Sequence, residues 1–440
     1  MDIFSSYLSL AGLLMIIYIF SKEKVDYVFY ALLISISLCV YYSITLDLTL
    51  LQIRSMILVE PLIYLICMQM ILEIAKEHRI FDYVALKLIH LTNGKIKNLY
   101  YTLCFISSIL TGFLPTTMVV LIFGSFIIKA CKIMGLKAHP FLFGIYICAI
   151  LGCLLTPFSS AIVLIISNEY NLNFNWFLQY TFPFVIPLII ITLIIIERKY
   201  LEPIIKNKEI DERRINLLIE LLRPESVIED EKAFKKNGIM IGIIFISLLL
   251  FQKPYLVAIF SCLFILKLNN KNVPQFVKKV DWKFILYLAS LYLTIGCMRI
   301  SGAFEIISIG ITFMADNLAQ GSIILIFIFI IFITGIISGF LSASMITLIM
   351  LAIFDFWFGI HPEFPSFTSL FAFALMTSAL LGTNLTPHGG TATILMMDLA
   401  EQNHILELNY KGVFSIGFKI TLLHLFLSAI YLIIIYLFYG

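Results

Sequence analysis

Residues 379–397, ALLGTNLTPHGGTATILMM, begin as an apolar helix, break between Gly382 and Gly390 and resume at Thr391. The break is flanked by apolar segments in a chain of 440 residues that is 61% hydrophobic and only 13% charged. With a mean hydropathy of +1.02, this composition excludes an ordinary soluble domain and reads as a polytopic membrane protein. Inside a bilayer, interrupted backbone survives only where protein buries it or where it lines a wet cavity. The break therefore marks an interior position with polar work to do.

The pattern occurs twice. Residues 149–167 read AILGCLLTPFSSAIVLIIS, so A-x-LG-x-x-LTP recurs 230 positions upstream. A second matched pair lies before each copy: Gly112-Phe113-Leu114-Pro115-Thr116-Thr117-Met118 and Gly339-Phe340-Leu341-Ser342-Ala343-Ser344-Met345, 227 positions apart. Two motifs recurring at nearly one offset mark an internal repeat. Paired Gly/Pro-interrupted apolar segments in corresponding halves point to a transporter's binding site.

Taken in order, apolar spans fall near 7–20, 27–45 and 49–74, with Tyr7 to Phe20 read as a first span and not as a cleavable signal. An amphipathic stretch, Phe81 to Leu91, suits a membrane surface. Residues 100–113 and 118–131, too short to span comfortably, predict a re-entrant hairpin over about 100–131. A broken helix over about 138–166 and a span over 176–196 complete an N-terminal repeat, 1–196. Residues 197–237 carry ten Lys or Arg and ten Asp or Glu, a solvated connector. The C-terminal repeat, 238–440, follows the same plan: spans near 238–251, 254–267 and 282–299, a surface stretch at 302–319, a hairpin at about 320–352, a broken helix at about 367–397 and a span at 412–438.

The basic residues orient the chain. Lys22, Lys24, Lys76, Arg79, Lys87, Lys95, Lys97, Lys129, Lys132, Lys137, the connector, Lys267, Lys271, Lys278 and Lys279 fall on one side, leaving Arg54, Lys253 and Arg299 on the other. The positive-inside rule makes the first set cytoplasmic and both termini external, in a multi-pass protein of the inner (plasma) membrane. The expected fold is thus all-α, with two inverted repeats, each of about five transmembrane helices plus one re-entrant hairpin and one broken helix. Such a repeat supplies the two related conformations that alternating access needs.

Each tip and break exposes half-helix N-termini, which favour anions or solute oxygens, while unwound carbonyls suit a sodium ion. The nearby side chains are Thr116, Thr117, Thr156, Ser159 and Ser160 in the first half, and Ser342, Ser344, Thr383, Asn384, Thr386, Thr391 and Thr393 with Gly389 in the second. These are short hydroxyl and amide groups that both donate and accept. No Asp, Glu, Lys or Arg lies in a tip or break, so a multivalent anion held there needs co-transported sodium ions or protons. His388 titrates near neutrality and either carries a coupling proton or only bonds the unwound backbone. Glu60, in the third span, reads as paired with a basic residue or reaching the interface. The eight cysteines lack metal or disulfide spacing and read as reduced packing residues, with Cys153 alone beside a break. No bound cofactor or metal is expected. A net charge of +3 offers nothing to nucleic acid, and no Ser-His pair, HExxH or aspartate dyad suggests an enzyme.

These motifs resemble the ion transporter superfamily of arsenite permeases, NhaD-type antiporters, and citrate and divalent anion symporters. LLGTNLTPHGGTATILMM, MILEIAKEHRIFDYVALKLIHLTNGKIKNLYY and LYLASLYLTIGCMRISGAFEIISIGITFMADN are closest to arsenite permeases. The resemblance implies a scaffold domain and a transport domain, often as a homodimer, with solute held by Thr116, Thr117, Thr156, Ser342, Ser344, Asn384, Thr386 and adjacent glycines. The tips depart from the family: Pro115-Thr116-Thr117 and Ser342-Ala343-Ser344 replace its Asn-bearing and acidic positions. Its sodium sites and arsenite specificity are therefore not carried over. The expected function is a secondary active transporter that moves a small anion or oxyanion-like solute by alternating access, coupled to sodium ions or protons. The alternatives are an arsenite or antimonite efflux permease and, from another class, a transport-incompetent sensor or assembly partner.

Overall fold

A computed structural model describes residues 3–20, 25–92, 95–206, 220–307, 309–310, 322–360, 367–387 and 389–439, and every regular element among them is helical. Tyr27–Leu46, Thr116–Met134, Glu231–Leu250, Trp282–Ile300 and Tyr410–Phe438 are each long and apolar enough to cross a bilayer. Large apolar side chains stand exposed along these and neighbouring helices, among them Ile44, Leu250, Phe260 and Phe438, as a lipid-facing surface requires. His388 and most of the 302–319 stretch lie outside the described residues, as do 207–219 of the connector.

Two expected spans are bent. Leu50–Met56 meets Val59–Glu77 at 59°, and Phe174–Tyr180 meets the helix beginning at Phe182 at 56°. Proline explains both, because its ring clashes with the carbonyl four residues back and it has no N–H to donate. Pro61 bars a straight helix through Ile57, and Pro183 bars one through Gln179. Hydropathy runs unbroken across both bends, so apolarity alone hides them. The first hairpin consists of Ile96–Thr111 and Thr116–Met134. Its second arm runs past residue 131 to full spanning length and ends at Gly135, whose φ of 67° closes the helix in a left-handed turn. The second hairpin is Ile323–Ser338 with Ala343–Ile360. The last helix of the connector region, Glu231–Leu250, starts seven residues before its expected span, capped by the Asp230 carboxylate.

The helices pair in matching ways. Ile96–Thr111 packs along His139–Gly152, and Ile323–Ser338 packs along Thr368–Gly382. The helices after the breaks cross over: Ala161–Glu169 packs on the second hairpin's Ala343–Ile360, and Thr391–Gln402 packs on the first hairpin's Thr116–Met134. Around this centre, Tyr27–Leu46 lies on Trp282–Ile300 and Val59–Glu77 lies on Pro254–Leu268. His139–Gly152 and Thr368–Gly382 are buried on all faces over their last thirteen residues. A helix apolar all round and buried all round belongs at the core of the assembly.

Candidate functional site

The two breaks form by the same local steps. Gly152 and Gly382 let each broken helix touch its hairpin at backbone distance: a Cβ on Gly152 would stand 1.9 Å from the Ser108 carbonyl oxygen, and one on Gly382 would stand 2.0 Å from Ser338 Oγ and 2.2 Å from the Gly335 oxygen. Pro157 and Pro387 then forbid an ordinary helix through the residues four back, Cys153 and Thr383. The last turn tightens to i→i+3 bonds. The N–H groups of Cys153, Leu154 and Leu155 donate to Ile150, Leu151 and Gly152 at 3.1 Å, and those of Thr383, Asn384 and Leu385 donate to Leu380, Leu381 and Gly382 at 2.9–3.2 Å. Thr156 and Thr386 anchor the unwound segments, each donating its hydroxyl to the carbonyl at a hairpin tip, Gly112 and Gly339 respectively.

Beyond the threonines the breaks diverge. In the first, Ser159 Oγ donates to the Cys153 and Thr156 carbonyls, Thr181 Oγ1 donates to the Leu154 carbonyl at 2.7 Å, and Tyr64 Oη donates to the Phe158 carbonyl at 3.2 Å. Ser160 caps the restarting helix by accepting from the Val163 N–H at 3.3 Å. Thr116 Oγ1 sits 3.2 Å from Cys153 Sγ. Thr117, next along the tip, is half-buried.

The second break is barer. Gly390, in extended backbone, occupies the capping position of Thr391–Gln402 and has no side chain to cap with. Gly389 packs so closely that a Cβ would lie 2.4 Å from the Thr383 carbonyl oxygen. Thr383 Oγ1 turns back to the Leu380 carbonyl at 2.6 Å. Asn384 is 2% exposed, and among the described residues neither its amide nitrogen nor its amide oxygen has a hydrogen-bond partner. Ser344 is buried at the second tip, Ser342 beside it is half-buried, and Thr391 is exposed.

The breaks are held together across the molecule by a hydrogen bond between Tyr146 Oη, in the first broken helix, and Thr393 Oγ1, just past the second break. His139–Gly152 also packs on both Thr368–Gly382 and Thr391–Gln402. The structure thus gathers the two sets of candidate residues around one cluster of half-helices. Glu60 is exposed and unpaired among the described residues, facing a cleft with Arg54, Asn168 and Asn171.

Three buried or half-buried polar groups escaped the sequence reading. Asp355, on the second hairpin, accepts from Tyr170 Oη at 3.1 Å and pairs with Arg299 at 3.1 Å, and the Glu169 carboxyl lies near enough for the two acids to repel each other. His424, fully buried in the last helix, bonds Thr192 Oγ1 at 2.8 Å. A lone acid in the apolar run IMLAIFDFWFG and a lone His in ITLLHLFL were the available signals. The eight cysteines are all free, and the Cys39 and Cys297 thiols lie 3.6 Å apart.

Comparison with known proteins matches this architecture to a family. The family model described as "Citrate transporter" covers residues 15–357. An uncharacterized transporter of Mycobacterium tuberculosis is 22% identical over 390 residues, 87% of each chain. A 46 kDa membrane protein of Mycobacterium leprae is 22% identical over 400 residues, 86% of each chain. An uncharacterized transporter of a Synechocystis species is 21% identical over 377 residues, 80% of this chain and 81% of its own. With membrane-length apolar helices around paired helix breaks and most of its length inside that model, the chain belongs to the citrate transporter family, whose role is transport across membranes.

Proposed function

We propose that the chain is a secondary active transporter that moves a small carboxylate or similar oxyanion by alternating access, coupled to sodium ions or protons. The observation that carries this reading is the second break. An uncapped half-helix start at Gly390 packs against Thr383, the residue before Asn384, and the buried Asn384 amide, without a partner among the described residues, can donate to a solute oxygen or coordinate a cation. An unpaired buried amide costs about 1–3 kcal/mol, and a bound solute or ion that completes its bonds recovers that cost. The N-terminal dipole favours the anion. Because neither break holds a charged side chain, a multivalent anion enters with its counter-ions, which is the requirement that couples solute to ion.

The name of the matched family favours a carboxylate over arsenite as cargo. Exchange of roles between two inverted halves, with cytoplasmic connector, external termini and dimeric assembly in the inner membrane, completes the proposal. The test is uptake of labelled citrate into proteoliposomes, run with and without sodium and with an imposed proton gradient. Saturable uptake that is lost in Asn384→Ala while the variant remains folded is expected. Efflux of arsenite with no citrate uptake would move the reading to a metalloid permease. Citrate binding without flux under any gradient would make the chain a sensor.

A further inference from the structure

We propose that Cys39 and Cys297 form a redox pair, which hydrogen peroxide closes into a disulfide that staples the two halves of the chain together. The residues are 258 positions apart in sequence, on Tyr27–Leu46 and Trp282–Ile300, which pack along each other. Their sulfurs stand 3.6 Å apart, close enough for one thiol to donate to the other. A disulfide needs a separation of about 2.05 Å, a gap that rotation of two side chains on adjoining helices can close.

A second, independent set of bonds holds these helices in register. Tyr42 and Ser301 follow the two cysteines by three and four residues, one helical turn further along the same faces. Tyr42 Oη donates to the Ser5 carbonyl at 2.6 Å. Ser6 Oγ donates to the Ser301 carbonyl at 2.5 Å, and the Ser9 and Ser301 hydroxyls bond each other at 2.7 Å. Ile3–Phe20 thus clamps both helices just beyond the thiols, which opposes sliding of one sulfur away from the other. Leu38, Cys39, Tyr42 and Cys297 make a small buried cluster apart from the main core. Among the described residues no third Cys, His, Asp or Glu completes a metal cradle there, which leaves the thiols to react with each other. The orientation proposed above places Cys297 one turn from the outer end of Trp282–Ile300, toward the compartment in which disulfides persist.

The small, neutral peroxide meets Cys39 first, because that residue is 6% exposed and Cys297 is 0% exposed. The Cys39 sulfur attacks one peroxide oxygen, the O–O bond breaks, and the thiol hydrogen leaves with the other oxygen as water. The sulfenic acid so formed is attacked by the Cys297 sulfur; the S–O bond breaks, and the hydroxyl departs with the Cys297 hydrogen as a second water. Two thiols lose two electrons, and one peroxide is reduced to two waters. A thiol already in contact captures the sulfenic acid before it oxidises further. Neither helix is a hairpin arm or a broken helix, so the bond reinforces the frame around the breaks and constrains the unfolded chain across both halves.

The experiment treats purified full-length protein in detergent with hydrogen peroxide, denatures it, blocks the remaining thiols with a maleimide and maps peptides without reductant. The wild type is expected to lose two of its eight thiols and to yield one linked pair of peptides carrying Cys39 and Cys297, which dithiothreitol separates. Its thermal midpoint is expected to rise by about 3 °C or more, reversibly with reductant. Cys297→Ser is expected to show neither change and to leave Cys39 as a sulfenic acid that dimedone traps. The wild-type map decides the matter even if that variant folds poorly. Two unchanged thiols, sulfinic acid on either cysteine without a linked peptide, or a disulfide that fails to raise the midpoint overturns the proposal. No transported solute is involved, so failure here leaves the transport reading standing, and failure of uptake leaves this one standing.

Discussion

The two helix breaks share a frame and differ in what fills it. Gly152 and Gly382, Thr156 and Thr386, Pro157 and Pro387 occupy equivalent positions, and each threonine ties to the glycine of a hairpin tip. At the next equivalent positions, Leu154 stands opposite Asn384, and Ser159-Ser160 stands opposite Gly389-Gly390. The serines of the first break bond its loose carbonyls and cap its restarting helix. The glycines of the second bring no side chain to either task, although the Thr386 carbonyl still accepts from the Gly389 N–H at 3.1 Å, and Asn384 adds an amide with no partner among the described residues. The first break is the more fully bonded of the two; on the transport reading proposed above, the second is where a ligand gains most.

The shared frame predicts the largest effects. Gly152→Ala and Gly382→Ala both force a methyl to within about 2 Å of neighbouring hairpin atoms. Overpacking costs about 1–3 kcal/mol where atoms can shift, and at both glycines a backbone carbonyl oxygen is among the obstructing atoms. Neither variant is expected to yield monodisperse folded protein on size exclusion. Survival of Gly382→Ala alone would show that the second frame is looser than the first. Next come Thr156→Val and Thr386→Val, each of which strands a buried carbonyl and is expected to cost about 1–3 kcal/mol. Equal losses of thermal stability support equivalent joints, while unequal ones break the comparison at its anchor.

The difference between the breaks is sharpened by exchanging one residue. Asn384→Leu places the first break's residue in the second, removing an unpaired amide. It is expected to stabilise the ligand-free protein by about 1 kcal/mol and to abolish any thermal shift caused by citrate. Leu154→Asn makes the reverse change and is expected to destabilise without creating a ligand response. If Asn384→Leu lowers ligand-free stability, the amide is already satisfied and the asymmetry is not one of open and closed sites.

Much of this frame was legible in the sequence because it depends on residues that act on their own backbone. Gly152 and Gly382 followed five residues later by proline stop a helix locally, and His139–Gly152 and Thr368–Gly382 both end at those glycines. Pro61 and Pro183 act by the same rule, yet uninterrupted hydropathy made their segments read as straight spans. Asn384 was recognisable as a candidate, but its lack of a partner depends on what surrounds it in three dimensions. Tyr170 and Asp355 are 185 positions apart, and no periodicity connects them; their hydrogen bond exists only because the half-helix after the first break crosses to the second hairpin. The sequence difference between Ser160 and Gly390 was visible, whereas its consequence needed the restarting helices themselves.

The crossing also sets the two half-helices in different electrostatic company at their far ends, and this yields the smallest effect. Ala161–Glu169 ends beside Tyr170, which donates to Asp355. Thr391–Gln402 ends where Lys132 donates to Asn403 at 2.7 Å and Lys137 pairs with Glu407 at 2.8 Å. The Lys137 ammonium holds the Glu407 carboxyl below its ordinary range against the opposing effect of burial, with His139 helping. A carboxyl with a lowered folded-state pKa adds stability above its unfolded value, near 4.3, and loses it as the pH falls through the folded value. Because the glutamate side chain is 38% exposed and the lysine 64%, solvent and salt screen the pair to at most about 1 kcal/mol. Glu407→Gln is therefore expected to lower thermal stability slightly at neutral pH, less at high salt, and not at all once the wild-type carboxyl is protonated. A loss that persists in acid would mean that Glu407 acts by packing, and that the two far ends differ in shape more than in charge.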